Sequence, residues 1–306
     1  MIPSSDHTTT DSFTDPSHDR RGAIVVTGAS AGIGRAIAKV AAREGAAIVL
    51  VARASAGLQE VAREVRQAGG EPFILELDLL NDGAPARVER FLLENHLVCD
   101  TLVNSAGYGR RGAATALPLD EQLGILDLNI HVLSELTLRF LPEMVKRGRG
   151  GVINFSSVAG FAAGPYMASY YASKSFVRSF SQALHQELRR TGVTVTCIAP
   201  GPVRTNFLAD SGAKHAALFR ILPALNPDDV AECAWRGFKS RRRLIVPGIS
   251  AKLAAMAASW LPASLVLPLI GALQRSGNDP CPCGSGKKFK NCCSAHSRSP
   301  AGAKQK

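Results

Sequence analysis

At 306 residues, 46% hydrophobic and 20% charged, the chain has a globular composition and the length for one α/β domain of roughly 250 residues with short appendages. Its formal charge of +11 is unevenly spread: residues 275–306 carry seven Lys or Arg against the single Asp279, leaving +5 for the rest, too mild a balance to argue for nucleic-acid binding. Seven cysteines, four of them between Cys281 and Cys293, suggest reduced thiols and a metal rather than a disulfide framework.

Residues 1–21 are rich in Ser, Thr, Asp and His and hold no apolar run, so they read as a disordered arm without a signal peptide, and a cytoplasmic protein is expected. Ala23–Thr27 then forms a β-branched run, followed at once by Gly28-Ala-Ser-Ala-Gly32-Ile-Gly34 and an Ala-rich helical pattern to Glu44. Strand, glycine loop and helix in that order are the context of dinucleotide binding, because glycines let the backbone approach a pyrophosphate and the helix N-terminus meets its charge.

The alternation continues with strands at 47–51, 72–77 and 99–104 and helices at 58–68 and 84–96. It predicts a doubly wound parallel sheet whose ligand lies across the carboxyl ends of the strands. At the end of the second strand, where an acid would hold ribose hydroxyls, stand Ala52 and Arg53; with Arg35 after the glycine loop this favours a 2′-phosphate, hence NADP(H) over NAD(H).

A long helix over about 119–144 contains Asn129, and the buried strand 152–155 leads to Ser157. Tyr170 and Lys174 follow, four residues apart in a helical pattern over 169–191, so both side chains share one face. An ammonium there is expected to lower the phenol's pKa toward the working range of a proton donor. A strand over 193–199 ends in Pro200-Gly201-Pro202-Val203-Arg204-Thr205, a helix spans 227–239, and a last strand covers 244–246.

Thr27-Gly-x-x-x-Gly-Ile-Gly34, Asn104-Ser-Ala-Gly107, Asn129, Ser157, Tyr170-x-x-x-Lys174 and Pro200-Gly201 resemble, in order and spacing, the short-chain dehydrogenase/reductase family over about residues 22–248. The resemblance implies a three-layer Rossmann domain that interconverts a carbonyl and an alcohol with a nicotinamide cofactor. Tyr170 would exchange the proton, Ser157 bind the substrate oxygen, Lys174 hold the nicotinamide ribose and Asn129 hold a relay water. The cofactor would be contacted by Thr27, Gly28, Ser30, Ala31, Gly32, Ile33, Gly34, Arg35, Arg53, Asp78, Leu79, Asn104, Ala106, Gly107, Tyr170, Lys174, Pro200, Gly201, Val203 and Thr205. It also implies a homo-oligomer acting on a small carbonyl or alcohol.

Residues 249–275 are almost uncharged, but Pro262 and Pro268 should break them into short helices that cover the pocket or a subunit interface; an apolar, lipid-like substrate would suit such a cover. Peripheral membrane contact and a membrane span are the alternatives. Residues 276–296 hold Cys281, Cys283, Cys292 and Cys293, four thiolates able to close around one tetrahedral zinc, and they resemble the SEC-C zinc motif. With Lys287, Lys288 and Lys290 such a knuckle could meet an acidic protein, the ribosome or an anionic membrane, ahead of a disordered basic tail at 297–306. A second reading makes the body a weakly catalytic nucleotide-binding scaffold and the zinc tail its recruiting element.

Overall fold

A computed structural model of the chain describes residues 20–212, 223–275, 277 and 285–292. Seven strands, β1 (Arg21–Thr27), β2 (Ala47–Ala52), β3 (Glu71–Glu76), β4 (Leu97–Asn104), β5 (Gly150–Phe155), β6 (Val193–Ile198) and β7 (Leu244–Ile245), pair in the order β3-β2-β1-β4-β5-β6-β7. Every pairing is parallel. The order reverses between β1 and β4, and the crevice above that switch point is where a doubly wound sheet binds its ligand.

Period-two alternation assigns the apolar strand residues to one of two cores. Ile24, Val26, Ile48 and Leu50 face one side, against α1 (Gly32–Ala42), α2 (Ser55–Gln67) and the helix Pro227–Lys239. Ala23, Val25, Ala47 and Val49 face the other, against α3 (Ala84–Glu94), the helix Leu133–Lys146 and the end of the helix Ala168–Glu187. Both faces of the sheet are covered, so the strands read as unbroken apolar runs, and each fully buried Ile or Leu contributes about 2 kcal/mol.

The long helix expected over 119–144 is one rod of three parts. An α-helical α4 (Leu119–Leu126) passes through a π-helical turn (Asp127–Val132) into α5 (Leu133–Lys146). A 3₁₀ turn (Val158–Phe161), α6 (Ala168–Glu187), the short α7 (Phe207–Asp210) and α8 (Pro227–Lys239) complete the body. Asn226 caps α8 by accepting from the Asp228 N–H at 3.1 Å, with Pro227 at the first helical position.

The apolar extension forms two helices, α9 (Ile249–Trp260) and α10 (Ala263–Gln274). Pro262 separates them as expected, whereas Pro268 sits inside α10 without ending it. No helix among the described residues is long and apolar enough to cross a membrane. Of the four proposed zinc ligands only Cys292 is described, and Cys281, Cys283 and Cys293 lie outside the described residues, as do the arm at 1–19 and the tail at 297–306.

Candidate active site

One cavity of about 750 Å³ opens over the carboxyl ends of β1, β4, β5 and β6. Gly28, Ala31, Gly32, Ile33 and Arg53 line one end, Ala106 and Gly107 the middle, and Ser157, Tyr170, Lys174, Pro200, Gly201, Val203 and Thr205 the opposite wall. Thus the glycine loop and the Ser/Tyr/Lys set, more than a hundred positions apart in sequence, share one space.

The nucleotide end is made of backbone. Gly28 lies at φ +66°, and a Cβ on it would come within 2.9 Å of Ala106. Gly34 packs tighter still, since its Cβ would fall 2.2 Å from the Gly28 carbonyl oxygen. α1 follows Ala31 as its N-cap, with no side-chain cap and no acid in its first turn, so its free N–H groups and positive dipole end suit a phosphate. These features fit a dinucleotide.

Several residues expected to touch the cofactor do other work, and the cavity lining leaves out Thr27, Ser30, Gly34, Arg35, Asp78, Leu79, Asn104 and Asn129. The Thr27 hydroxyl donates to the Val103 carbonyl at 3.2 Å and accepts from the Ser105 and Ala106 N–H groups at 3.1 Å, shaping the loop after β4. Asn104 donates to Thr137 Oγ1 and Asn154 Oδ1, and Asn154 donates to Ser181 Oγ, a buried chain that ties β4 and β5 to α5 and α6. Asp78 accepts from the Leu80 N–H at 3.0 Å.

Arg35 needs the plainest correction. Its guanidinium is held by Glu60 and by both oxygens of Glu64 at 2.7–3.0 Å, which keeps it turned to α2 and raises its pKa further. Arg53 stands exposed on the cavity wall, so the cation that faces the nucleotide end is Arg53.

At the other end, Lys174 is 6% exposed and donates to the Phe155 carbonyl at 2.9 Å. Burial pulls its pKa down to about 8. Its Nζ lies 5.8 Å from the centre of the Tyr170 ring, which also packs on Phe207 at 5.3 Å. The expected lowering of the phenol's pKa by Lys174 is absent from the free site. Burial is the larger effect and lifts Tyr170 well above the ordinary value, while a hydrogen bond with Ser157 opposes it. Tyr170 is therefore a protonated donor at neutral pH. Ser157 is itself fixed as the cap of the 3₁₀ turn, accepting from the Ala159 N–H at 3.2 Å.

Asn129 sits in the π-helical turn, fully buried behind this wall. Its amide donates to the Tyr108 carbonyl and Ser173 Oγ, both at 3.0 Å, and its Oδ1 accepts the Tyr108 N–H at 3.2 Å. A Cβ on Gly107 would lie 2.9 Å from Asn129 Oδ1 and 3.4 Å from Lys174 Nζ, so glycine there lets the two groups flank one loop. A π-turn that aims a polar side chain at a site is a recurrent device.

Sequence reasoning missed Gln274. From the last turn of α10 it lines the cavity, 1% exposed, and donates to the Tyr171 hydroxyl at 2.9 Å while its Oε1 has no hydrogen-bond partner among the described residues. The signal was a lone amide closing an apolar run. Tyr171, expected as packing or pocket wall, is that wall.

Residues 22–216 match the short chain dehydrogenase family, and residues 278–295 match the SEC-C motif. "Dehydrogenase/reductase SDR family member 7B" of Mus musculus is 32% identical over 207 residues, covering 65% of this chain and 64% of that protein. "Fatty acyl-CoA reductase" of Acinetobacter baylyi is 32% identical over 210 residues, covering 68% and 70%. A short-chain dehydrogenase from Sphingobium yanoikuyae, solved in complex with NADPH, superposes with a TM-score of 0.69 at 30% identity over 78% of this chain and 93% of that one. The chain thus spans just under two-thirds of the mouse relative's length.

Proposed function

The chain belongs to the short chain dehydrogenase family, whose members are NAD(P)-dependent dehydrogenases and reductases, and from that premise we propose that it interconverts a carbonyl and an alcohol with NADP(H). The reading is carried by one observation: the Ser157, Tyr170 and Lys174 side chains converge on the same cavity that the uncapped end of α1 and the glycine loop open into.

When bound, the nicotinamide would supply or accept the hydride at the substrate carbon. This chain's residues do the rest. The Ser157 hydroxyl binds the substrate oxygen, and Tyr170 gives it a proton as charge develops there, or takes one in the reverse direction. The charge left on the phenol is stabilised by the Lys174 ammonium, and Asn129, behind this wall, would hold the relay water through which the proton is replaced. Gly28, Ala31, Gly32 and Ile33 would cradle the pyrophosphate, Ser30, Gly34, Asp78 and Leu79 shape the adenine side, and Arg53 would meet a 2′-phosphate, which favours NADP(H).

For the substrate we propose an apolar, acyl-like carbonyl compound: Met167, Phe207, Tyr171 and Val158 line its end of the cavity, and the Acinetobacter baylyi relative is named for a fatty acyl substrate. We further propose a homo-oligomer and a structural zinc on Cys281, Cys283, Cys292 and Cys293, a soft donor set with no open position, whose lysines would contact a protein, a ribosome or anionic lipid.

Tyr170→Phe tests the chemistry. It should lower NADPH-dependent reduction of medium- and long-chain carbonyls by about 10²–10⁴ while leaving NADPH binding almost unchanged; retained turnover would remove Tyr170 from the mechanism. Metal analysis of chain purified without chelator should find zinc, lost on Cys281→Ser with Cys283→Ser; a metal-free chain would overturn the knuckle.

A further inference from the structure

Amphipathic helices bury their large apolar residues, and α9 does the reverse. It buries Ala251 and Ala255, while Ile249, Leu253, Met256 and Trp260 are 77%, 60%, 58% and 85% exposed. These four fall at i, i+4, i+7 and i+11, so they form one stripe along the side away from the body. The inner face is close-fitting: a Cβ on Gly201 would lie 3.2 Å from Ala251.

α10 repeats the pattern. Val266, Gly271 and Gln274 are buried, with Gly271 set against Pro165, while Leu265 and Leu269, and Leu261 in the connection, stay exposed. Seven large apolar side chains facing outward from two adjoining helices exceed what monomers ordinarily expose without a partner.

The described charges of this C-terminal segment, Lys252, Arg275, Lys287, Lys288 and Lys290, are all cationic, and by sequence residues 249–306 contain eight Lys or Arg against one acid. Lys252 stands exposed on α9 itself. Lys287, Lys288 and Lys290 are anchored at the end of α10, where the Arg275 guanidinium lies between the Tyr166 ring (5.3 Å) and the Phe289 ring (5.0 Å), and the Lys290 N–H donates to the Gly277 carbonyl at 2.8 Å.

We propose that α9 and α10 are a docking surface for an anionic lipid bilayer, entered by the Ile249, Leu253, Met256, Trp260, Leu265 and Leu269 side chains with the lysines on the headgroups. A second copy of the chain would be the other apolar partner, but a two-fold contact sets the same patch against itself and would bring these like charges together. Each helix is twelve residues long, about 18 Å, against a bilayer core of about 30 Å, so the helices lie in the interface and do not span it. A tryptophan at the end of the stripe suits the headgroup boundary. This inference is independent of the reaction proposed above.

The test is flotation of the full chain with vesicles of phosphatidylcholine, with and without phosphatidylglycerol. Binding should require phosphatidylglycerol, fall by about tenfold or more in Leu253→Ser with Trp260→Ser, and weaken with salt. Lys287→Glu with Lys288→Glu should lose the preference for phosphatidylglycerol. Brominated acyl chains should quench Trp260 and spare the buried Trp235. Absence of binding to either vesicle, or binding unaffected by the Leu253/Trp260 substitutions, overturns the proposal. A dimer that Leu253→Ser with Trp260→Ser dissociates, in a chain that ignores vesicles, assigns the surface to a second copy instead.

Discussion

The two ends of the cavity are built by different means. At the nucleotide end, Gly28, Ala31, Gly32 and Ile33 of one short loop make the wall, and Gly34 packs against the Gly28 carbonyl with no room for a Cβ. At the substrate end the wall is assembled from side chains of four separate segments: Ser157 after β5, Tyr170 and Tyr171 on α6, Phe207 on α7 and Gln274 on α10. A backbone wall suits a ligand shared across a family. A side-chain wall can be altered one residue at a time, which is where substrate choice would be tuned.

Substitutions at the two ends should separate these roles. Gly34→Ala would set a methyl 2.2 Å from the Gly28 carbonyl, and since backbone must move, NADPH binding should be lost and stability fall by several kcal/mol; calorimetry and thermal melts would read both. Unimpaired binding would show the loop to be softer than its packing indicates.

Next in size is the buried cation at the substrate end. The folded chain holds Lys174 at about 8 against 10.5 ordinarily, so between those values the unfolded chain binds a proton that the folded one does not. Stability of the free protein should therefore rise with pH through that window, by up to about 3 kcal/mol from this group, and Lys174→Met should flatten the rise. An unchanged slope would assign it to another residue.

Arg53→Ala, at the nucleotide end, should weaken NADPH by about 10–100-fold and NADH little, read as a change in their KM ratio. Equal loss for both would discard the 2′-phosphate contact.

Smallest is Gln274→Leu. It removes a hydrogen bond to Tyr171 and also an unpartnered buried oxygen, two effects that nearly cancel, so stability should shift by less than about 1 kcal/mol. NADPH affinity should not move, whereas KM for carbonyl substrates should. A change in NADPH affinity alone would break the division between the two ends.

The same contrast governs how much was legible in the sequence. The sheet could be read because its central strands are buried on both faces and flanked by helices of 3.6 period, and the Tyr170/Lys174 pair because its partners lie at fixed offsets along the chain. Arg35 misled because its carboxylate partners, Glu60 and Glu64, sit one helix away and no local pattern announces them. Thr27 and Asn104, expected to contact the cofactor, hydrogen-bond to backbone and neighbouring polar groups behind the cavity lining, which no local pattern shows. The phenol's pKa reversed in direction because spacing shows a cation nearby but not how far both groups are withdrawn from water. Gln274 was missed because the lone amide gives no sign of its target, which depends on how α10 folds back, a long-range contact.

Gln274 also bears on where this protein may be cut. The family match stops at residue 216, yet one cavity wall is closed from residue 274, and the next residue, Arg275, is the one clasped between Tyr166 of the body and Phe289 of the segment matching the SEC-C motif. Cavity and appendage meet across a single peptide bond. A chain trimmed to the matched segment would lose β7, α8 and the floor of its own substrate site, and one trimmed after Gln274 would keep that floor while losing the cation that joins the two parts.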